Sequence, residues 1–280
     1  MRRLTPMVGP RGALPSLSGD HQVVAVFGGA YNNWAAVQAV VGDARRRGAE
    51  AVWFLGDVGG FGPHPNRACE VLRELALPVV QGNYDDSVGN GAEDCACGYT
   101  DPRDNHFAQI SYDYTLANTH ADHRRWLASM PTEARIRVGG KVLHLCHGSP
   151  RKVNEFLWES TTPAGFVGHL CDTWEAHAVV CTHTGIHWER RLDDGRGVIN
   201  VGAVGRPAND GRPEVWYALL DGRDGRLSTT FVPVEYDWQA VVAEMRSEGL
   251  PEEFVETLAT GWWTTCLEIL PARERARGSF

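Results

Sequence analysis

The chain carries no excess of positive charge: its net charge is −8, so no global basic field exists to hold nucleic acid or an anionic membrane. No apolar run approaches the length of a bilayer-spanning helix, roughly 18 residues. After Met1-Arg2-Arg3 no continuous apolar segment precedes Pro10, Gly12 and Pro15. A secretory signal is therefore not expected, and residues 1–20 read as a flexible leader. The seven cysteines are odd in number and scattered, mostly inside apolar segments. That favours reduced thiols in a cytoplasmic protein over a disulfide framework. Internal repeats, low-complexity tracts and convincing linkers are also missing. Residues 21–271 thus read as one domain, with 235–271 as a helical extension packed on it and 272–280 as a charged tail.

What the chain does have is length and apolar content enough for a large α/β core, 280 residues with 43% apolar. Val23-Val24-Ala25-Val26-Phe27 is a β-branched run without alternation, as expected of a strand buried on both faces. The spacing predicts a helix from Asn33 to about Arg47, a strand over 51–55, a helix from Asn66 to Leu75 and a strand over 78–80. This alternation implies a parallel or mixed sheet covered by helices. Residues 101–130 read as helical, broken at Asn118-Thr119, and 134–138 with 141–146 as a hairpin across Gly139-Gly140. Further on come a helix from Pro163 to Trp174 and a strand at 178–181. Strands near 197–201, 214–220 and 228–234 precede helices from Asp237 to Ser247 and from Pro251 to Ala259.

The chemistry sits where the apolar runs end. Gly56-Asp57, Gly82-Asn83-Tyr84-Asp85, His147-Gly148 and Thr182-His183-Thr184-Gly185 each follow such a run. Open α/β sheets build their sites at these strand ends. Asp57, Asn83, His147 and His183 are oxygen and nitrogen ligand types, suited to one hard or borderline divalent metal. Individually each has a plainer reading: Gly-Asp is usually a turn, and a histidine in an apolar segment is usually a core residue.

Together with Phe27-Gly28-Gly29-Ala30-Tyr31-Asn32-Asn33 and Asn200-Val201-Gly202-Ala203-Val204-Gly205-Arg206-Pro207, these motifs occur in the order seen in calcineurin-like metallophosphoesterases. The chain resembles that family over roughly residues 22–235. The resemblance implies a four-layer α/β/β/α sandwich with two metals at the strand ends. It also implies a metal-dependent phosphoesterase, expected to act on a small phosphorylated compound; the acidic balance and the lack of a long apolar run argue against nucleic acid or a membrane as partner.

The match is incomplete in a systematic way. Gly29 and Tyr31 occupy the positions of the family's D-x-H Asp and His, Gly185 that of the last His of G-H-x-H, and Tyr84 that of the catalytic His. The residues the resemblance assigns to the other metal, Asp57, Asn83, His147 and His183, all remain. One divalent ion (Mn, Fe or Zn) is therefore expected, and a second is not. Tyr31, as a phenolate, and His187, by swinging inward, are the candidate replacement ligands for a second ion.

Tyr84, Asp85 and His64 are the candidate catalytic residues, Tyr84 as a hydrogen-bond donor to a developing oxyanion. His64 lies between two prolines in the loop after Asp57. Arg206 is the candidate contact for an anionic substrate. Cys95-Ala96-Cys97 is a weak metal or redox signal, since C-x-C alone is common. The rival to hydrolysis is a degenerate fold repurposed for another enzymatic task or for ligand binding. Gly29 and Gly185 favour it by opening space where an ion and its ligands would sit.

Overall fold

The computed structural model describes residue 14 and residues 16–276. The described chain begins with β1 (Leu17–His21) and β2 (Val23–Phe27), then α1 (Trp34–Arg46), β3 (Ala51–Phe54), α2 (Pro65–Glu74) and α3 (Asn83–Asn90). Two further helices follow, α4 (Pro102–Asn118) and α5 (Ala121–Ala128), and then the hairpin β4 (Glu133–Val138) and β5 (Lys141–Cys146). After α6 (Ala164–Thr173) come β6 (Ala178–Cys181), β7 (His187–Arg191), β8 (Gly197–Val201), β9 (Val215–Asp221) and β10 (Ser228–Val234). The described chain closes with α7 (Trp238–Ser247), α8 (Glu252–Thr260) and a short α9 (Ala272–Arg275).

The strands form two sheets, ordered β1-β4-β5-β6-β8-β7 and β10-β9-β2-β3. Their alternating side chains explain how the sheets stack. Val24 and Val26 of β2 meet Leu143 and Leu145 of β5, Val180 of β6 and Ile199 of β8 in one buried cluster between the sheets. The intervening residues face outward. Ala25 and Phe27 pack under Ala36, Val37 and Val40 of α1, and Cys146, Val179, Cys181 and Val198 under Val167 and Leu170 of α6. Period-two alternation of uniformly apolar strands thus gives helix, sheet, sheet, helix, the four-layer sandwich expected from the motifs.

Helix starts follow local chemistry. Asn33 caps α1 by accepting from Ala36 N, Asp101 caps α4 from Arg103 N, and Asp237 caps α7 from Ala240 N. Pro65 and Pro102 sit in the first turns of α2 and α4.

Several expectations are corrected. Residues 17–20, assigned to the leader, lie in β1, whose partner is the parallel β4; residues 1–13 and 15 lie outside the described residues. The strand expected at 78–80 is reduced to a single parallel bridge, Phe54 to Val79. α3 was not anticipated, because Asn-Tyr-Asp-Asp-Ser-Val-Gly-Asn is poor in strong helix formers. β7 was missed as well, and α9 falls in the segment expected to be a tail. Among the described residues no helix is long and apolar enough to cross a membrane.

Candidate metal centre

Four loops at the strand ends converge. Asp57 follows β3, Asn83 opens α3, His147 follows β5 and His183 follows β6. Backbone bonds tie the loops together, Thr182 N to His147 O at 2.7 Å and Ala30 N to Asp57 O at 2.8 Å. Asp57 and His183 both hold positive φ, 62° and 72°, a conformation that costs non-glycine residues free energy and is concentrated at functional sites.

Ligand atoms of Asp57, His147 and His183 all lie within 4.8 Å of one another, and all three residues are buried. His147 Nε2 is 3.1 Å from Asp57 Oδ2 and 3.2 Å from His183 Nδ1. The other His147 nitrogen, Nδ1, donates to the Leu55 carbonyl at 2.6 Å, the arrangement that fixes a metal-ligating imidazole. Asp57 Oδ1 accepts from Tyr84 N at 3.0 Å.

Burial and the adjacent His147 push the His183 imidazole down to about 3, so it is neutral. Burial opposes charge on both Asp57 and His147. Their mutual attraction outweighs it, holding the Asp57 carboxyl below its usual range and the His147 imidazole above. Asn83 Nδ2 donates to Cys95 O at 2.9 Å and lies 3.5 Å from Cys97 Sγ, while its Oδ1 is buried with no partner. His183 Nε2 is likewise buried with no partner, and a carboxylate with two imidazoles, one of them neutral, fits a divalent cation that would satisfy lone pairs the protein leaves unused.

The other expected site residues divide. Tyr84, Tyr31 and Arg206 line a cavity of about 50 Å³ together with Asp57 and His183. Tyr84 Oη donates to Ser111 Oγ at 3.0 Å. Burial raises both phenols, so without a bound cation Tyr31 is a neutral hydroxyl.

Asp85 is not at the cavity. Its oxygens accept from Asp57 N, Val58 N and Gly82 N, each at 2.8 Å, so it scaffolds the Asp57 loop. His64 lines a separate surface groove with Arg67, Glu70 and Tyr114, and lies 3.9 and 4.0 Å from the carboxylates of Glu244 and Glu248. His187 is held in β7 between Trp216 and Phe231, ring centroids 4.6 and 4.7 Å away. Its backbone pairs with Val201 of β8, and the three-residue cluster of Asp57, His147 and His183 does not include it.

The space expected around Gly29 and Gly185 is filled. A Cβ on Gly29 would lie 2.8 Å from Tyr31 Cζ, and one on Gly185 would lie 2.9 Å from the Trp263 ring and 3.2 Å from an Arg206 terminal nitrogen. Cys95 and Cys97, expected as thiols, are joined in a disulfide with Cα atoms 5.2 Å apart.

The sequence reading missed the far wall of the cavity. Phe61, Tyr99, Phe107, Ser111, Phe254 and Cys266 line it, contributed by α4, α8 and the loops beside them. Only the apolar spacing of the C-terminal helices hinted at a packed extension.

A model of the calcineurin-like phosphoesterase superfamily domain matches residues 21–225. The chain belongs to this family. The metallophosphoesterase of Sphaerobacter thermophilus is similar in structure, with 29% identity, a TM-score of 0.67, and coverage of 86% of this chain and 99% of that one. The hypothetical protein PH1004 of Pyrococcus horikoshii shares the fold at 22% identity and a TM-score of 0.71, with the same coverage. The uncharacterized protein MJ0912 of Methanocaldococcus jannaschii is 27% identical over 256 residues, spanning 85% of this chain and 98% of its own. Members of this calcineurin-like family normally bind divalent metals, and Asp57, His147 and His183 form the matching candidate site here.

Proposed function

We propose that this chain is a metal-dependent phosphoesterase that hydrolyses a small phosphorylated compound. One divalent ion, Mn, Fe or Zn, would be held by Asp57, Asn83, His147 and His183. The observation that carries this reading is the convergence of one buried carboxylate and two buried imidazoles, Asp57, His147 and His183, with His183 Nε2 and Asn83 Oδ1 left unpartnered. An ion there supplies Lewis-acid polarisation and a water of lowered pKa.

The chain's own residues do the rest. The aromatic rings of Phe61, Phe107 and Phe254 line the cavity, and such a low-dielectric wall strengthens charge interactions beside it. Tyr84 and Ser111 form a hydroxyl pair on the cavity surface and offer a neutral donor to phosphoryl oxygen. Small cavity size supports a small phosphorylated group over a nucleic acid, as does the net negative charge. We place the protein in the cytoplasm on its five free, buried cysteines, since Cys95–Cys97 is a local loop and no disulfide framework.

The reading is tested by elemental analysis together with phosphoester hydrolysis. About one ion per chain is expected, lost in His147→Ala and His183→Ala, with hydrolysis abolished by chelator and restored by metal. Hydrolysis that survives both chelation and His147→Ala would refute it.

A further inference from the structure

Arg206 is 5% exposed, yet among the described residues no carboxylate forms an ion pair with it; its Nε has no partner, and its side chain hydrogen-bonds the Cys266 sulfur, a weak acceptor. A guanidinium stays protonated under all ordinary conditions. Leaving one buried without a counter-ion costs several kcal/mol in general, so such a group is expected only where an anion completes it.

Its place is built. The guanidinium stacks 3.5 Å from the Trp263 ring centroid and lies 5.8 Å from that of Tyr31. Trp263 is itself fixed by Nε1 donating to Pro207 O at 2.7 Å. Gly205 makes room for Tyr31, because a Cβ there would fall 2.3 Å from the Tyr31 Cβ.

Position decides the meaning. Arg206 abuts Gly185, and Tyr31 abuts Gly29, the two positions where the family's other metal ligands would begin. The guanidinium therefore lies in the region from which a second cation would act. It shares one cavity with Asp57 and His183.

We infer that Arg206 substitutes for a second metal ion and that the cavity is a binding site for a single tetrahedral oxyanion, such as the phosphoryl group of a monoester. The site's other side is the metal quartet, and that half rests on the function proposed above. A cavity of about 50 Å³ accommodates roughly three to five water-sized atoms, which matches one phosphoryl group and not a polyphosphate. The remaining wall offers aromatic rings and the neutral hydroxyls of Tyr84 and Ser111 but no second cation, so the ester group that follows is uncharged.

The test uses inorganic phosphate and pyrophosphate with the full chain, with and without Mn²⁺, in wild type, Arg206→Met and Arg206→Lys. Calorimetric titration and thermal melting are the readouts, with metal content measured on each preparation. Arg206→Met is expected to weaken phosphate binding by about 10- to 100-fold, the loss typical of charge-assisted hydrogen bonds. Arg206→Lys, which keeps charge without the planar fork, falls between. Phosphate raises the melting temperature of the wild type and leaves Arg206→Met unmoved. Without phosphate, Arg206→Met melts no lower than wild type, because it removes an uncompensated charge.

Phosphate affinity within twofold of wild type in Arg206→Met would overturn the inference. So would two ions per wild-type chain, a tenfold preference for pyrophosphate, or a marked loss of phosphate-free stability in Arg206→Met. The two readings fail separately. Phosphate binding that depends on Arg206 in a chain that takes up no metal keeps the anion site and defeats the metallophosphoesterase. Metal uptake with phosphate indifferent to Arg206 does the reverse.

Discussion

Replacing Asp85 by Ala removes the acceptor of three buried backbone N–H groups, those of Asp57, Val58 and Gly82, all at 2.8 Å. Each unsatisfied buried donor costs about 1–3 kcal/mol. Water entering the vacated space recovers part of this, so the expected loss is about 3–5 kcal/mol. At about 2–4 °C per kcal/mol for a large domain, the melting temperature should fall by roughly 10 °C. Asp85→Asn should cost less, about 1–2 kcal/mol. Its oxygen can keep two of the bonds and its amide faces the third donor, but it also relieves repulsion with Asp57. That repulsion is real: burial, and then the Asp57 charge, push the Asp85 carboxyl up to about 6.

The assay is urea unfolding followed by metal titration of the folded variants. Because Asp85 fixes the loop that carries Asp57, metal affinity should fall along with stability. A variant at position 85 that keeps full stability and metal affinity but loses hydrolysis would refute the scaffold role and return Asp85 to the reaction.

In the metal-free protein the raised His147 pKa stabilises the fold while the imidazole is protonated. That stability is fully present below the unfolded value near 6.5 and is lost as pH rises through the higher folded value. Metal must displace the same proton, so metal affinity should rise with pH over that window; calorimetry from pH 5.5 to 8.5 checks the direction, and a flat profile would contradict it. His64→Ala should leave hydrolysis within twofold of wild type, since His64 lies in a separate groove, and steady-state kinetics decide the matter. His187→Ala should lower stability through lost packing on Trp216 and Phe231 while elemental analysis finds the metal content unchanged. Phe254→Ala, removing a ring 4.6 Å from Phe61 and 5.9 Å from Phe107, should cost about 3–5 kcal/mol in denaturant unfolding.

Much of the sandwich was legible from the residues. β2, β3, β5, β6 and β8 are short apolar runs that stop at glycine, polar or ligand-type residues, a pattern written locally. α3 and β7 were not legible, because tertiary contacts override their composition. Asn83–Asn90 is anchored by Asp85, which accepts from Asp57 N and Val58 N in the loop after β3. His187–Arg191 is held extended by pairing with β8.

The sequence by itself determined which residues end the strands, and so which side chains face one another once the strands align. Asp57, His147 and His183 come together because three neighbouring loops each deliver one polar residue. Two matters were decided only in three dimensions. Asp85 and His64 read as participants, yet backbone donors occupy the first and a distant groove takes the second. The glycines at 29 and 185 read as openings, yet Tyr31, Trp263 and Arg206 fill them. Residues 31, 206 and 263 are far apart along the chain, and no local periodicity records a contact whose partners meet only after both sheets and the C-terminal helices have packed. That packing turns an apparent vacancy into a buried cation.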